Sequence, residues 1–330
     1  MLPAVLLFFG AVAAYYIARY LWELLRVSSI DKKAVLITGC DSGFGNLLAK
    51  RLAKNGQKVF AGCLTEKAIC ELRNKSPFIE AFQMDVTKDE SVNESVKYVK
   101  ANLKQGECLW AVVNNAGIVP ECGPDDWLMI DSYKAALDVN TIGVIRVTKA
   151  FKELIKDSRG RIVTMISQAG RVCIMGFGPY SVSKYALEAY VDTIRQELRP
   201  FGVVCPILEP GFYKTNMTED EVHMKRIENT WSKTSEDTKL QYGEAFKEAY
   251  KECWLKVLEG SSTNPDEITD YYEHAINGLV PRLRYRCGWN AILLHSPLAF
   301  MPTEIEDFIF RLVTKNFAAE KIAQLCKKTI

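Results

Sequence analysis

The chain has 330 residues, of which 48% are hydrophobic and 25% are charged, with a formal net charge of +2. This size is sufficient for a buried core, and the well-mixed charges, without a long basic run or basic–aromatic stripe, exclude the usual signature of a nucleic-acid-binding protein. Ten cysteines show neither a CxxC pair nor a Cys/His metal spacing. We therefore predict free thiols in a reducing compartment and no metal site.

The N-terminus carries an unbroken apolar run, Leu2–Ala18, with aromatic residues near its end. It predicts a retained membrane anchor within residues 1–27, just long enough to cross a bilayer. A cleavable signal peptide is disfavoured because no Lys or Arg precedes the run, and a mitochondrial presequence because the run is not rich in Arg and Ser. Basic residues follow the run, so the positive-inside rule places the main body in the cytosol.

After a short polar linker, short apolar runs alternate with amphipathic helical stretches. The predicted strands are Ala34–Thr38, Lys58–Cys63, Ile79–Asp85, Leu109–Asn114, Arg161–Ser167 and Val203–Glu209. The predicted helical stretches include Asn46–Asn55, Ser91–Leu103 and Leu128–Ile155. Continuous apolar strands in this alternation predict an α/β fold, a doubly wound parallel sheet (Rossmann fold), in one domain over residues 33–330.

The alternation stops beyond the last predicted strand. Residues 212–263 are helical, polar and rich in large aromatic side chains, which predicts either a substrate lid or an insertion whose aromatic residues form only a core. Within the C-terminal segment 282–330, residues 282–310 are apolar and aromatic. We expect them to cover a substrate pocket or to lie on a membrane.

A glycine-rich turn, residues 38–45, follows the first strand directly. Glycines there allow a tight turn and let backbone amides approach a pyrophosphate at the start of a helix. The predicted cofactor contacts in the turn are Thr38, Gly39, Asp41, Ser42, Gly43, Phe44 and Gly45. The second strand ends at Cys63, also a predicted contact, with neither an acid nor a base beside it. Asp41 would repel a 2′-phosphate, so NAD is favoured over NADP. Lys67, as a base, would instead attract the 2′-phosphate of NADP.

Tyr180 and Lys184 are four residues apart, so they share one face of a helix. A nearby fixed cation stabilises phenolate and lowers a tyrosine pKa from about 10. The pair therefore predicts a side chain that exchanges protons near neutral pH. Taken alone, the same spacing more often marks a solvated helix face.

Further candidate residues lie at or just after the carboxyl ends of successive predicted strands, where α/β sheets bind ligands. They are Asp85, Asn115, Ser167, Pro210, Gly211 and Thr215, and Asn140 lies in the helical stretch that follows the fourth strand. Each has an ordinary explanation on its own as a turn former or strand end. Their order along one chain predicts a single site.

From about residue 33 to 215 the chain resembles the short-chain dehydrogenase/reductase family. The resemblance implies a catalytic tetrad and cofactor contacts, which fall on Asn140, Ser167, Tyr180 and Lys184, and on Thr38, Gly39, Gly43, Gly45, Asp85, Asn115 and Thr215. The turn 38–45 and residues 60–65 look most like the branch of membrane-anchored retinol dehydrogenases, hydroxysteroid dehydrogenases and 3-hydroxybutyrate dehydrogenase. One departure is Ile166-Ser167, where many members have two serines.

The resemblance implies hydride exchange between a secondary or allylic alcohol and a nicotinamide cofactor. Tyr180 would carry the alcohol proton, Lys184 would lower the Tyr180 pKa and bind the nicotinamide ribose, and Ser167 would hydrogen-bond the substrate oxygen. Asn140 would hold a water that passes the proton to solvent. The expected location is a membrane, the endoplasmic reticulum, with the catalytic body facing the cytosol, and a homodimer is the expected assembly.

Three substrate hypotheses follow. A lipophilic alcohol, a hydroxysteroid or retinol, fits the anchor and the aromatic segment. 3-Hydroxybutyrate is the alternative, and its carboxylate would need a cation, for which Arg171 and Lys214 are the candidates. A non-catalytic membrane-associated binding protein would be indicated by a lost tetrad member, and all four are present.

Overall fold

The computed structural model describes residues 2–215, 219–289 and 291–314. Its centre is a seven-stranded sheet with the order β3-β2-β1-β4-β5-β6-β7, in which every neighbouring pair is parallel. The strands are β1 Lys33–Thr38, β2 Val59–Cys63, β3 Ile79–Gln83, β4 Cys108–Asn114, β5 Arg161–Met165, β6 Ile207–Pro210 and β7 Arg284–Cys287. The predicted doubly wound α/β class is confirmed.

Thirteen helices are present in the described residues. They are α1 Leu2–Leu24, α2 Gly43–Lys54, α3 Glu66–Arg73, α4 Asp89–Asn102, α5 Ile130–Leu137, α6 Val144–Ser158, α7 Gly178–Leu198, α8 Asp220–Lys233, α9 Glu236–Tyr242, α10 Glu244–Glu259, α11 Asp266–Asn277, α12 Ser296–Leu298 and α13 Thr303–Thr314. Between α5 and α6 the chain takes a π-helical turn over Asp138–Gly143. The single helical stretch predicted there is therefore two helices joined by a wider turn.

The six predicted strands all form, with ends that move by up to four residues. The largest change is in β6, which begins at Ile207 rather than Val203. Val204 makes only an isolated bridge, and Pro206 has no N–H to donate to a ladder. Strand β7 was not predicted, because it is four residues long and its two arginines, Arg284 and Arg286, interrupt the apolar pattern.

The sheet is buried on both faces, which explains why its strands read as continuous apolar runs. Along β1, Val35 and Ile37 belong to one core and Ala34 and Leu36 to the other, and all four are 0% exposed. Successive side chains point to opposite faces of a strand, so both faces must be apolar when helices cover both.

Residues 212–263 contain α8, α9 and α10, which enclose a third core beside the sheet. Its buried members include Trp127, Phe177, Trp231, Tyr250 and Trp254. Several pairs meet edge to face, such as Trp127 and Tyr250 with ring centroids 5.8 Å apart, a geometry that aromatic rings favour. The aromatic residues of this segment therefore do form a core, and its role as a lid stays a prediction.

The end of α1 is tied to the sheet domain through polar contacts. The Glu23 carboxylate pairs with Arg282, its backbone oxygen lies 3.0 Å from His274 Nε2, and Val27 N donates to Asn277 O at 2.8 Å. These contacts fix where the first helix leaves the body.

In the described part of the chain, no helix combines the length and the apolarity that crossing a membrane requires.

Candidate active site

A cavity of about 620 Å³ lies at the carboxyl edge of the sheet, where parallel α/β sheets bind ligands. The predicted site residues that line it are Gly39, Asp41, Ser42, Gly43, Phe44, Asp85, Asn115, Ser167, Tyr180, Lys184, Pro210, Gly211 and Thr215. The structure therefore brings together residues that are up to 176 positions apart in the chain.

The glycine-rich turn forms one wall of this cavity. Gly39 and Gly43 have φ values of +69° and +61°, which side-chain-bearing residues rarely adopt. A Cβ on Gly45 would lie 2.5 Å from Asn115 Nδ2 and 2.6 Å from Gly39 O. Helix α2 begins at Gly43, and the side chain of Ser42 does not cap it, so first-turn amides remain available to an anion at the cavity wall.

Thr38 and Asn115 hold the start of the glycine-rich turn through hydrogen bonds. Asn115 Nδ2 donates to the backbone oxygens of Thr38 at 3.0 Å and Gly39 at 3.1 Å, while Thr38 Oγ1 accepts from the backbone of Asn115 at 3.1 Å. The Tyr272 hydroxyl donates to Asn115 Oδ1 at 3.0 Å. Thr38 is only 2% exposed. Tyr272 was missed because no local sequence signal connects α11 to this turn.

Asp41 links the glycine-rich turn to the loop after β2. Its carboxylate accepts hydrogen bonds from Leu64 N and Thr65 N, both at 2.9 Å, and from Thr65 Oγ1 at 2.8 Å. Thr65 in turn caps α3 by accepting from Ala68 N. Cys63 is fully buried, and Leu64 and Thr65 line the cavity in its place. Burial, together with the Asp41 charge, raises the pKa of Cys63 to about 12.

Asp85 stands beyond the end of β3 on the same wall. Its Oδ1 accepts from Thr87 N at 2.9 Å and Thr87 Oγ1 at 2.7 Å. Burial opposes ionisation, but the Thr87 hydrogen bonds and the charges of Lys88 and Arg146 together outweigh it and hold the pKa of Asp85 below its usual value. The carboxylate is thus a fixed acceptor at the cavity wall.

Tyr180 and Lys184 lie one turn apart on α7, as predicted. Lys184 Nζ is 5.5 Å from the centre of the Tyr180 ring and donates to Met165 O at 3.2 Å. Burial lowers the pKa of Lys184 to about 8, against the opposing charge of Glu188. The ammonium is therefore charged at pH 7 and loses its proton as the pH rises through about 8.

The predicted lowering of the Tyr180 pKa is wrong for the protein by itself. Burial raises the pKa of Tyr180 to about 12, and only a hydrogen bond with Ser167 opposes this. Desolvation of the phenolate outweighs the nearby ammonium because Lys184 sits beside the ring face rather than within hydrogen-bond distance of the hydroxyl. Ser167 follows β5, and its Oγ also accepts from Ala169 N at 3.1 Å.

Asn140 lies in the π-helical turn and is 0% exposed. Its Nδ2 donates to Ile118 O and Ser183 Oγ, both at 2.9 Å, and its Oδ1 accepts from Ile118 N at 2.8 Å. The side chain therefore ties the loop after β4 to α7, next to Lys184. Its role in holding a water stays a prediction.

A second cavity of about 80 Å³ adjoins the first. Tyr180, Ser167, Pro210 and Gly211 line both cavities. The rest of its wall is mostly apolar, with aromatic residues such as Phe177 from the third core. Tyr180 thus lies where the large cavity, which carries the glycine-rich turn, meets a smaller apolar one.

The two cations considered for a substrate carboxylate do not line either cavity. Arg171 pairs with the buried carboxylate of Glu209 at 2.6 Å and also approaches Glu188. Lys214 is exposed. Lys67, considered for a 2′-phosphate, is also exposed and lies 4.0 Å from Glu71.

Among the described residues, no three His, Cys, Asp or Glu side chains come together as a metal site would require.

Residues 33–226 match the family model for short chain dehydrogenases. The chain is 41% identical over 297 residues to retinol dehydrogenase 7 of Rattus norvegicus, covering 88% of this chain and 93% of that protein. It is 41% identical over 301 residues to 17-beta-hydroxysteroid dehydrogenase type 6 of Bos taurus, covering 89% and 93%.

Solved structures share the fold. A short chain dehydrogenase from Burkholderia cenocepacia in complex with NADP aligns with a TM-score of 0.65 at 20% identity, over 84% of this chain and 98% of that one. One from Burkholderia phymatum in complex with NAD aligns with a TM-score of 0.66 at 21% identity, over 82% and 94%. The chain is therefore a member of the short-chain dehydrogenase family, an alcohol dehydrogenase or ketoreductase.

Proposed function

We propose that the protein exchanges a hydride between NAD and a lipophilic secondary or allylic alcohol, a hydroxysteroid or a retinol. The observation that carries this proposal is the position of Tyr180, which lines both the large cavity with the glycine-rich turn and the smaller apolar one. A proton-transferring group must reach the reacting oxygen, so it belongs at the boundary between cofactor and substrate.

The large cavity fits a dinucleotide. The open amides at the start of α2 suit a pyrophosphate. Asp85 and Thr215, which the family resemblance assigns to the adenine and the nicotinamide side of the cofactor, also line the cavity. When bound, the nicotinamide supplies the carbon that accepts or gives the hydride. A Cβ on Gly39 or Gly45 would overlap Ala116 or Asn115, so the turn could not keep its shape with a side chain at either position.

Tyr180 would take the alcohol proton during oxidation and return it during reduction. Ser167 would hydrogen-bond the same substrate oxygen as charge develops on it. Because burial alone holds the Tyr180 pKa at about 12, positive charge must be brought close to the phenol before it can act as a base near neutral pH. Lys184 supplies one such charge, held in place through Met165 O.

Charge around the large cavity favours NAD. Among the described residues that line it, Lys184 alone carries a positive charge, and Asp41 and Asp85 are the acidic residues. A 2′-phosphate beside Asp41 would meet a carboxylate without a compensating base.

Replacing Asp41 with asparagine is expected to raise kcat/KM with NADP relative to NAD by about fivefold, because a like-charge contact of this kind costs on the order of 1 kcal/mol. The ratio is measured in initial-rate assays with both cofactors. Thr65→Val, which removes one hydrogen bond to Asp41 but keeps the carboxylate, serves as the control and should leave the ratio unchanged. An unaltered ratio in the asparagine variant would show that Asp41 does not choose the cofactor.

We also propose that α1 anchors the protein in the endoplasmic reticulum membrane, with the body in the cytosol, and that two copies pair through α7. Large side chains of α1 such as Phe9, Tyr15, Tyr16 and Tyr20 are around 60% exposed, and aromatic residues are favoured at membrane interfaces. On α7, Val182 and Tyr185 are exposed. Membrane pelleting before solubilisation tests the anchor, and protein found in the supernatant would reject it. Light scattering after solubilisation tests the pairing, and the mass of a monomer would reject it.

The function is tested by NADH formation with the full-length protein in detergent. We expect turnover of members of a hydroxysteroid and retinol panel, and none of 3-hydroxybutyrate, because Arg171 is paired with Glu209 and the cavity beside Tyr180, although Arg226 reaches it, is lined mainly by apolar groups. Turnover of 3-hydroxybutyrate alone would reverse the substrate assignment. Absence of any turnover, with NAD still bound, would point to the non-catalytic binding protein.

A further inference from the structure

The smaller cavity carries polar groups at two separate places. Ser167 and Tyr180 belong to the catalytic side, and His223 and Arg226 enter from α8. His223 and Arg226 are three residues apart, so they lie on one face of that helix. The wall also includes apolar groups such as Phe177, and the amide of Gln168, whose Nε2 donates to Glu209 O at 3.0 Å.

His223 is held as a flat, buried ring. It stacks on Phe177 with ring centroids 5.5 Å apart and planes 8° apart, and its centroid lies 5.2 Å from that of Trp254. It is only 2% exposed. Burial, with the Arg226 charge adding to it, lowers the pKa of His223 to about 4. The imidazole is therefore neutral at pH 7, with one nitrogen able to donate and the other able to accept a hydrogen bond.

The Nε2 atom of His223 is buried and has no hydrogen-bond partner in the described part of the chain. Buried polar side-chain atoms are usually paired, because an unpaired one loses its hydration without compensation. Here the unpaired nitrogen belongs to a residue that lines the cavity next to Tyr180. A ligand oxygen at that place would satisfy it.

We propose that His223 is a specificity-determining residue that hydrogen-bonds a second oxygen of the substrate, remote from the carbinol that reacts at Tyr180. This inference rests on the proposed function and narrows it. It favours rigid lipophilic alcohols with oxygen at both ends, such as a steroid with one hydroxyl and a remote hydroxyl or ketone. Retinol, whose single oxygen must face Tyr180, leaves His223 unpaired.

The experiment compares two steroids of one skeleton, with and without the remote oxygen, and retinol as a third substrate. The quantity measured is the ratio of kcat/KM for the dioxygenated steroid to that for its deoxygenated analogue. For the unaltered protein we expect a ratio of about 10 to 100, because the analogue leaves the buried nitrogen unpaired. The difference should appear mainly in KM.

His223→Phe keeps a flat ring against Phe177 and removes both nitrogens, and we expect it to bring the ratio to within about twofold of 1. His223→Gln restores a donor and an acceptor and should recover part of the ratio. Thr230→Val removes a buried hydroxyl from α8 that does not line the cavity, and it should leave the ratio unchanged. NAD binding, measured in each variant, verifies that the fold is intact.

The outcomes separate this inference from the proposed function. Equal turnover of both steroids by the unaltered protein, or a ratio that survives in His223→Phe, would overturn the role of His223 and leave the lipophilic-alcohol assignment standing. Failure of every steroid and of retinol would reject the proposed function itself. Retinol turned over far better than either steroid would also overturn the inference.

Discussion

Replacing Tyr180 with phenylalanine is expected to reduce kcat by at least about 1000-fold, which lies within the range that positioned acid–base groups contribute. The change removes only the hydroxyl, so the ring still lines both cavities and the proton has no carrier at the reacting oxygen. The measurement is steady-state NADH formation, together with NAD affinity by fluorescence titration. Affinity should stay within about threefold, because a phenol-to-phenyl change removes at most one neutral hydrogen bond from the cofactor.

The matched control for this change is Tyr185→Phe. Tyr185 lies on the same helix, is 41% exposed and does not line either cavity. The change removes one hydroxyl that lines neither cavity, so it should keep kcat within about twofold even where this face of α7 contacts a second copy. Turnover retained in Tyr180→Phe would refute the assigned acid–base role, whereas equal losses in both variants would indicate damage to α7 rather than to the chemistry.

Replacing Gly39 with alanine is expected to weaken NAD binding by at least about 30-fold. Gly39 has φ +69°, and a Cβ there would lie 2.8 Å from Ala116 Cα, which is backbone and cannot swing away. The left-handed conformation and the overlap together cost on the order of 2–4 kcal/mol. The turn can relieve that strain only by shifting, and a shift moves the amides that face the pyrophosphate.

Gly106→Ala provides the comparison, because it separates the conformational strain from the overlap. Gly106 has φ +83° but would place its Cβ in open space, with nothing within 4 Å. It should lower the thermal unfolding temperature slightly and leave the NAD dissociation constant unchanged. Calorimetric titration of both variants is the measurement, and equal affinities would mean that the approach of Gly39 to Ala116 does not control the cofactor turn.

Much of this protein is determined by local sequence. Parallel strands covered by helices must be apolar on both faces, so β1 to β6 are visible as continuous apolar runs. The glycine-rich turn and the Tyr180/Lys184 spacing are equally local, since positive φ values and the helical period act within a few residues. The cavity residues that follow the strand ends could also be predicted, because the carboxyl ends of parallel strands meet at one edge of the sheet.

Tertiary structure alone decided the rest. The predicted direction of the Tyr180 pKa was wrong because desolvation depends on everything packed around the phenol, not on one neighbour. The sequence made Arg171 a candidate partner for a substrate carboxylate, but the fold pairs it with Glu209. Tyr272 and His223 reach the site from helices late in the chain, and no short-range pattern reports such contacts. Sequence therefore determines which elements form and where their ends meet, whereas burial and long-range pairing determine which of the assembled polar groups are charged, engaged or left for a ligand.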